Sequence, residues 1–269
     1  MSEILLVGCG KMGGALVDGW LSKGRNPASI TIIEPQLPSL APLVSRGVQA
    51  LASDQDLPGA FVPELILFAV KPQLMDYVVP PYARFKESVV YMSIAAGRTM
   101  AFFKKCLGED ASIVRVMPNT PAAIGRGISA GLASNNVRRD QLDLAASLMQ
   151  TAGEFHWLTS ERQIDAVTAV SGSGPAYVFL LAECLAEAAK SLGLPDNLAE
   201  RLGRMTVTGS GEMLAQSQET AAILREHVTS PGGTTEAALK VLMADAGLQT
   251  LVKEAVGVAF QRSRELAGS

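Results

Sequence analysis

Short apolar runs alternate with mixed helical stretches through the first half of the chain. The runs are Ile4–Val7, Ile30–Ile33, Leu65–Val70, Val89–Ile94 and Ile113–Met117. They are short, largely uninterrupted and rich in β-branched residues, the pattern of parallel strands covered on both faces. A turn residue follows nearly every run: Gly8, Pro35, Pro72, Gly97 and Pro118. A helix is expected over Gly14–Leu21, directly after the first strand. Repeated strand–helix units of this kind predict a right-handed, doubly wound parallel sheet. After about Glu161 the pattern changes and strand signals disappear. Helices are expected over Ala176–Leu192, Asn197–Ala215, Ala221–Glu226, Thr235–Ala244 and Leu248–Leu266. Ala176–Leu192 is apolar on almost every face, so it is expected to be buried all round. A small helical domain cannot do that alone, which implies a dimer interface. The fold class is therefore α/β over 1–161, followed by an all-α domain over 162–269.

The 269 residues suit two domains, and 48% of them are hydrophobic, enough for a large core or an extensive subunit interface. A net charge of −3 gives no reason to expect nucleic acid or an anionic membrane as a partner. The pairs Lys104-Lys105 and Arg138-Arg139 read as solvated faces. Cys9, Cys106 and Cys184 are too far apart in sequence for a metal motif or a disulfide framework, so no metal is expected and a reduced, cytoplasmic setting is. The N-terminus has no basic-then-apolar leader pattern, and no apolar run reaches bilayer-spanning length.

Gly8-Cys9-Gly10-Lys11-Met12-Gly13 lies between the first strand and the first helix. In that context GxGxxG reads as a dinucleotide-binding loop. Gly8 permits the tight turn, Gly10 lets the backbone approach a pyrophosphate, and Gly13 allows close helix–strand packing. The helix start supplies N–H donors and partial positive charge. Glu34 ends the second strand, 21 residues after Gly13. A carboxylate there suits the adenosine ribose hydroxyls and repels a 2′-phosphate, which favours NADH over NADPH.

Ligands of an open parallel sheet lie beyond the carboxyl ends of its strands. Ala69-Val70-Lys71-Pro72, Ile94-Ala95-Ala96-Gly97 and Met117–Pro121 occupy such ends, and their small residues let a flat ring pack on the backbone. Lys71 reads equally as a phosphate or ribose contact and as a solvated lysine. Ser171-Gly172-Ser173-Gly174-Pro175 reads equally as a helix cap and as a site wall. Ser230-Pro231-Gly232-Gly233-Thr234-Thr235 is a poorer cap, because one cap needs neither two glycines nor so many hydroxyls. A carboxylate-sized anion on exposed N–H groups explains it better.

There are only two histidines, His156 and His227, and no obvious Ser–His–Asp set. Reducing a ketone needs a placed acid or base to manage the oxygen's proton. A cyclic imine needs less, because its nitrogen protonates near neutral pH and leaves the carbon electrophilic. Holding the substrate's carboxylate and bringing a hydride near it then suffices, with one hydroxyl for the ring nitrogen.

VGCGKMG, FAVKPQ, SIAAG, VRVMPNTPAAIGRG, DAVTAVSGSGPAYVF and HVTSPGGTTEAAL together resemble the pyrroline-5-carboxylate reductase family over essentially the whole chain. The last two segments are the most specific. The resemblance implies a Rossmann domain, a helical domain that interlocks into homodimers, and frequent assembly of five dimers into a decamer. It implies an active site built from the cofactor domain and helices of both subunits. Val7 to Met12 would wrap the dinucleotide phosphates of NAD(P)H. Ala69 to Pro72 and Ile94 to Ala96 would line the nicotinamide side. Ser230, Gly233 and Thr234 would hold the carboxylate of 1-pyrroline-5-carboxylate. Thr235 would hydrogen-bond the imine nitrogen as proton donor or relay.

Two positions depart from the family pattern. Many members carry a small, polar or basic residue at Glu34 and use NADPH. A proline is frequent near Ala221, which leaves open whether Gln218 or Glu219 contacts substrate. Two alternatives remain. A β-hydroxyacid dehydrogenase would need a lysine on the long helix, where Lys190 lies too near the far end. A non-catalytic dinucleotide sensor would need an effector module, and nothing in the sequence resembles one.

Overall fold

Four consecutive buried apolar residues need cover on both sides, and β1 (Ile4–Val7) obtains it in mid-sheet. Successive side chains of a strand point to opposite faces. Ile4 and Leu6 accordingly join one core with Leu16, Val17 and Trp20, and Leu5 and Val7 join another with Phe68, Tyr91 and Phe103. The structure is a computed structural model and describes residues 3–87 and 89–268. The remaining strands are β2 (Ile30–Ile33), β3 (Gln49–Leu51), β4 (Leu65–Phe68), β5 (Val90–Ser93), β6 (Ser112–Met117), β7 (Gly127–Ala133) and β8 (Gly153–Trp157). Their order is β3-β2-β1-β4-β5-β6-β7-β8. Helices α1 (Lys11–Ser22), α2 (Ala41–Val44), α3 (Met75–Val78), α4 (Met100–Leu107) and α5 (Arg139–Gln150) accompany the sheet. The buried Trp20 indole on α1 donates to the Leu148 carbonyl of α5 at 3.0 Å.

The expected sheet is parallel up to β6, and there the expectation needs correction. β7 pairs antiparallel to β6, with Val114 opposite Ala133 and Met117 opposite Ala130, and β8 runs parallel to β7. β3, β7 and β8 were not expected as strands. β3 has three residues, and β7 is GISAGLA, whose glycines and alanines carry little strand propensity. Tertiary packing fixes β7 and β8 instead. A Cβ on Gly131 would lie 2.7 Å from the Phe155 ring, and Phe155 stacks edge-on against Trp157. Gly153 has φ +139°, and a Cβ there would lie 1.9 Å from the Gly127 carbonyl oxygen.

The chain divides into two compact units. One runs to Gly172 and takes back the chain from Phe260, and the other is Ser173–Ala259. α6 (Glu161–Val167) belongs to the first by its contacts. Arg115, buried on β6, pairs with Glu161, whose carboxylate also accepts the Met100 N–H at 2.7 Å. Asp165 accepts from the Ser263 hydroxyl at 2.7 Å. The sequence pattern thus changes where α6 starts, while the contacts divide between Gly172 and Ser173.

In the second unit α7 (Gly174–Ser191) packs on α8 (Asp196–Gln216) through small residues. Ala186 and Ala199 are buried, and a Cβ on Gly203 would lie 2.5 Å from the Ala182 carbonyl. α9 (Ala221–His227), α10 (Thr234–Leu242) and α11 (Leu248–Leu266) follow, and α11 ends in the first unit. α7 is not buried all round within one chain. Ala186 is its one buried position among the described residues, and Phe179 and Leu180 are 64% and 57% exposed. A single neighbouring helix covers one stripe, not a circumference. α6, a π-helical turn at Thr168–Gly172 and α7 make up the 31-residue helical stretch Glu161–Ser191, which is long and apolar enough to cross a membrane by length and composition only.

The β7–β8 junction makes a stability prediction. Gly153→Ala should destabilise the protein by about 3 kcal/mol or more, because strain and overlap act together. Gly125→Ala, in the left-handed helical region at φ +69° with nothing within 4 Å of the new Cβ, should cost only about 1 kcal/mol. Denaturant titration of both variants checks the difference, and equal losses would remove the Gly127 contact from the account.

Candidate functional site

The chain leaves β1 toward β2 on one side and returns to β4 on the other, so the strand order reverses beside β1. Such a switch point opens a crevice at the carboxyl ends of the strands, and the glycine loop sits there. Gly8 has φ +85°, and a Cβ would lie 2.5 Å from the Val70 Cγ1. At Gly13 a Cβ would lie 3.0 Å from the Gly8 carbonyl, so only glycine lets α1 start this close to β1. Gly10 is the N-cap of α1 and makes no side-chain cap bond, and a Cβ there would meet nothing within 4 Å. The N–H groups of the first turn, at Lys11 and Met12, therefore start a helix with open space before it. That is the arrangement a dinucleotide's phosphates need, and the residues fit the cofactor.

Glu34, just beyond β2, reaches the same loop. Its Oε2 accepts the Cys9 N–H at 3.0 Å and its Oε1 accepts the Gln36 N–H at 3.2 Å. The Cys9 thiol is pushed up to about 11, first by burial and then by the Glu34 and Asp18 carboxylates.

The ends of β4 and β5 stand beside this loop. Ala69 N–H donates to the Val7 carbonyl at 2.8 Å, and Ile94 N–H to the Phe68 carbonyl at 3.2 Å. Ala95 N–H donates to the Ser93 hydroxyl at 3.2 Å. Ala95 and Ala96 are half-buried, and Lys71 is exposed. Arg98 holds this edge and carried no sequence signal, because an arginine after AAG belongs to no recognisable spacing. Its Nε and Nη2 donate to the Pro72 carbonyl at 2.9 and 2.6 Å, and Nη2 pairs with Asp76 at 2.6 Å. The structure thus brings together Val7, Gly8, Cys9, Gly10, Gly13, Glu34, Ala69, Val70, Ile94 and Ala95 along one sheet edge. Asn119, beyond β6, serves the fold, with its Oδ1 accepting the Ile128 N–H at 2.9 Å.

Within Ser171–Pro175, Ser173 is the N-cap of α7 and Pro175 lies in its first turn, but no side chain caps the helix. Ser171 donates to the Val167 carbonyl at 3.0 Å, Ser173 makes no cap bond, and the π turn carries α6 on into α7. π turns of this kind are frequent at functional sites.

In the second unit the Ser230–Thr235 segment ends at α10, whose N-cap is Gly233 without a side-chain cap. Gly232 has φ +72°, a conformation that favours glycine. Gly233 N–H turns inward to the Ser230 carbonyl at 3.0 Å. Gly232 N–H is also taken, by the carboxylate of Glu236. Lys240 Nζ lies 3.0 Å from the Glu236 Oε1. The Gly232 N–H and then Lys240 hold the Glu236 carboxyl below the ordinary glutamate value. The N–H groups that head α10 are thus those of Thr234, Thr235 and Glu236, beside the half-buried Thr235 side chain. Glu236 escaped the sequence reading, although its place one turn into the helix was the available signal.

Residues 161–266 match the family model for pyrroline-5-carboxylate reductase dimerisation, and residues 3–97 that for NADP oxidoreductase, coenzyme F420-dependent. The chain is 38% identical to the pyrroline-5-carboxylate reductase of Pseudomonas aeruginosa, over 98% of this chain and 97% of that one. Among solved structures it is similar to a pyrroline-5-carboxylate reductase from Coxiella burnetii, at TM-score 0.92 and 36% identity, covering 99% and 98% of the two chains. The Plasmodium falciparum pyrroline carboxylate reductase with NADP bound matches at TM-score 0.84 and 28% identity, covering 99% and 98%.

The raised Cys9 thiol predicts low reactivity. The thiolate is the reactive form, so at pH 8 alkylation of Cys9 should be about 100-fold or more slower than that of a free peptide thiol and should keep rising up to pH 11. Peptide mapping after iodoacetamide pulses checks this, and labelling at the free-thiol rate would contradict it.

Proposed function

The chain belongs to the pyrroline-5-carboxylate reductase family, and on that premise we propose that it is an NAD(P)H-dependent imine reductase of proline biosynthesis. The observation that carries this is the end-to-end likeness to a curated reductase at 38% identity. NAD(P)H supplies a hydride to the C=N carbon of 1-pyrroline-5-carboxylate, and the ring nitrogen gains a proton, giving L-proline. The residue roles are proposals supported by position. Val7, Gly8, Cys9, Gly10, Lys11, Met12 and Gly13 cradle the dinucleotide phosphates. Ala69, Val70, Lys71, Pro72, Ile94, Ala95 and Ala96 form the nicotinamide side. Ser230, Gly233 and Thr234 form the cradle of the substrate's carboxylate at the uncapped start of α10, Gly233 through the turn it makes, since its own N–H is engaged by the Ser230 carbonyl. Thr235 directs its hydroxyl at the imine nitrogen and serves as proton donor or relay.

NADH is preferred to NADPH, because the Glu34 carboxylate is anchored at the glycine loop, where it accepts ribose hydroxyls and repels a 2′-phosphate. The functional division lies at Glu161, with the cofactor domain over 1–161 and the dimerisation and substrate domain over 162–269, and the dimerisation match from residue 161 supports it. The protein is a homo-oligomer. Its unit is a homodimer formed by the second domain, whose α7 and α8 leave Phe179, Leu180, Leu202 and Met205 at least 44% exposed in one chain. Five such dimers form a decamer. The enzyme works in the cytoplasm. Lys190, which a β-hydroxyacid dehydrogenase would use as its acid, is instead tied to Glu187 at 3.0 Å.

Steady-state kinetics with synthetic pyrroline-5-carboxylate and both nicotinamide cofactors test the activity. No turnover with either would overturn it. Thr235→Ala should lower kcat by ~10-fold or more while leaving NADH affinity nearly intact, since one transition-state hydrogen bond is lost. Unchanged turnover would remove Thr235 from the mechanism. Glu34→Ser should relax discrimination against NADPH, read as the ratio of kcat/KM for the two cofactors. A ratio equal to that of the unaltered enzyme would sink the ribose argument.

A further inference from the structure

The start of α10 is a helix terminus that already holds one carboxylate of its own. Glu236 accepts the Gly232 N–H, and Lys240, one turn further along, lies 3.0 Å from the same carboxylate. Gly233 N–H is paired separately with the Ser230 carbonyl at 3.0 Å. These two bonds fix the loop in the turn that Gly232 makes at φ +72°. They also determine which donors are left. With Gly232 and Gly233 engaged, the N–H groups left to head the helix are those of Thr234, Thr235 and Glu236, the first two next to the hydroxyl assigned to the imine nitrogen.

The arrangement carries an electrostatic liability. A substrate carboxylate approaching the α10 start meets the favourable end of the helix dipole and, within the same turn, the negative charge of Glu236. An anion bound beside an uncompensated carboxylate is weakened by like-charge repulsion. Lys240 removes that repulsion without touching the loop, because its ammonium pairs with the carboxylate from the far side along the helix.

We propose that Glu236 is a positioning residue for the substrate's carboxylate, tying down the Ser230–Thr235 loop so that Thr234 and Thr235 present their N–H groups, and that Lys240 neutralises it so that the site accepts an anion. The proposal rests on the reading that this loop holds the substrate's carboxylate. Neither residue touches the reacting atoms, so their loss acts on substrate binding and leaves the chemical step alone.

The test compares Glu236→Ala, Glu236→Gln, Lys240→Met and the Glu236→Gln/Lys240→Met double variant in the full-length enzyme. KM for pyrroline-5-carboxylate, kcat, KM for the cofactor and Tm are measured for each. Glu236→Ala should raise the substrate KM about tenfold, with kcat within about twofold and the cofactor KM unmoved. Glu236→Gln keeps an acceptor oxygen for Gly232 and should recover most of the loss. Lys240→Met should raise the substrate KM about fivefold, and this effect should vanish when Glu236 is already glutamine. Lys240 is exposed, so this arm reads the charge effect even if Glu236→Ala folds poorly. An unmoved substrate KM in Glu236→Ala, or a Lys240→Met effect that persists beside glutamine, overturns the proposal. Ser230→Ala separates the two levels. If it raises the substrate KM while Glu236→Ala does not, only the positioning role fails. If neither moves it, the placement of the substrate's carboxylate fails as well.

Discussion

A helix start leaves peptide N–H groups without partners inside the helix, and something has to accept from them. Some starts in this chain are supplied with an acceptor by a nearby side chain. Thr99 caps α4 by accepting from the Phe102 N–H at 3.2 Å, and Thr220 caps α9 by accepting from the Ile223 N–H at 3.3 Å. α6 begins with a reciprocal Ser160–Gln163 box. Other starts, such as those of α7 and α8, lack a side-chain cap, but two combine that lack with a glycine at the cap itself: α1 begins at Gly10 and α10 at Gly233. Both are preceded by glycines that hold a turn open, Gly8 at φ +85° and Gly232 at φ +72°. A reductase of an imino acid needs two anions held, the phosphates of its cofactor and the carboxylate of its substrate. The chain has one such helix start in each unit.

The charges around these two starts differ. At α1 the carboxylate of Glu34 is bonded to the loop through the Cys9 N–H, placing a fixed negative charge beside the cofactor's binding loop. The same charge, added to burial, raises the Cys9 thiol and favours its protonated form. At α10 the internal carboxylate is balanced by a lysine. The two sites share backbone physics and differ in whether the neighbouring negative charge is left bare or neutralised.

Much of this was legible in the sequence. β1, β2, the glycine loop and the helices of the second half were readable because their signals are local: buried apolar runs, glycine spacing and 3.6-residue periodicity. β7 and β8 were not, since Gly131 and Gly153 owe their strand conformation to Phe155 and Gly127 across the sheet. The periodicity of α7 correctly marked a helix, but its all-round apolar character misled about burial within one chain, where Ala186 is its one fully buried position among the described residues. Apolar surface of that kind belongs to the homo-oligomer. Arg98 was invisible for a related reason: it works by reaching a backbone group, the Pro72 carbonyl, and that contact leaves no residue pattern.

The most direct measurement of the account is the structure of the enzyme crystallised with L-proline. The carboxylate of the amino acid should accept hydrogen bonds from the Thr234 and Thr235 N–H groups, with the ring nitrogen against the Thr235 hydroxyl. L-proline seated away from the start of α10, with those N–H groups still facing water, would contradict the assignment of that helix start to the substrate.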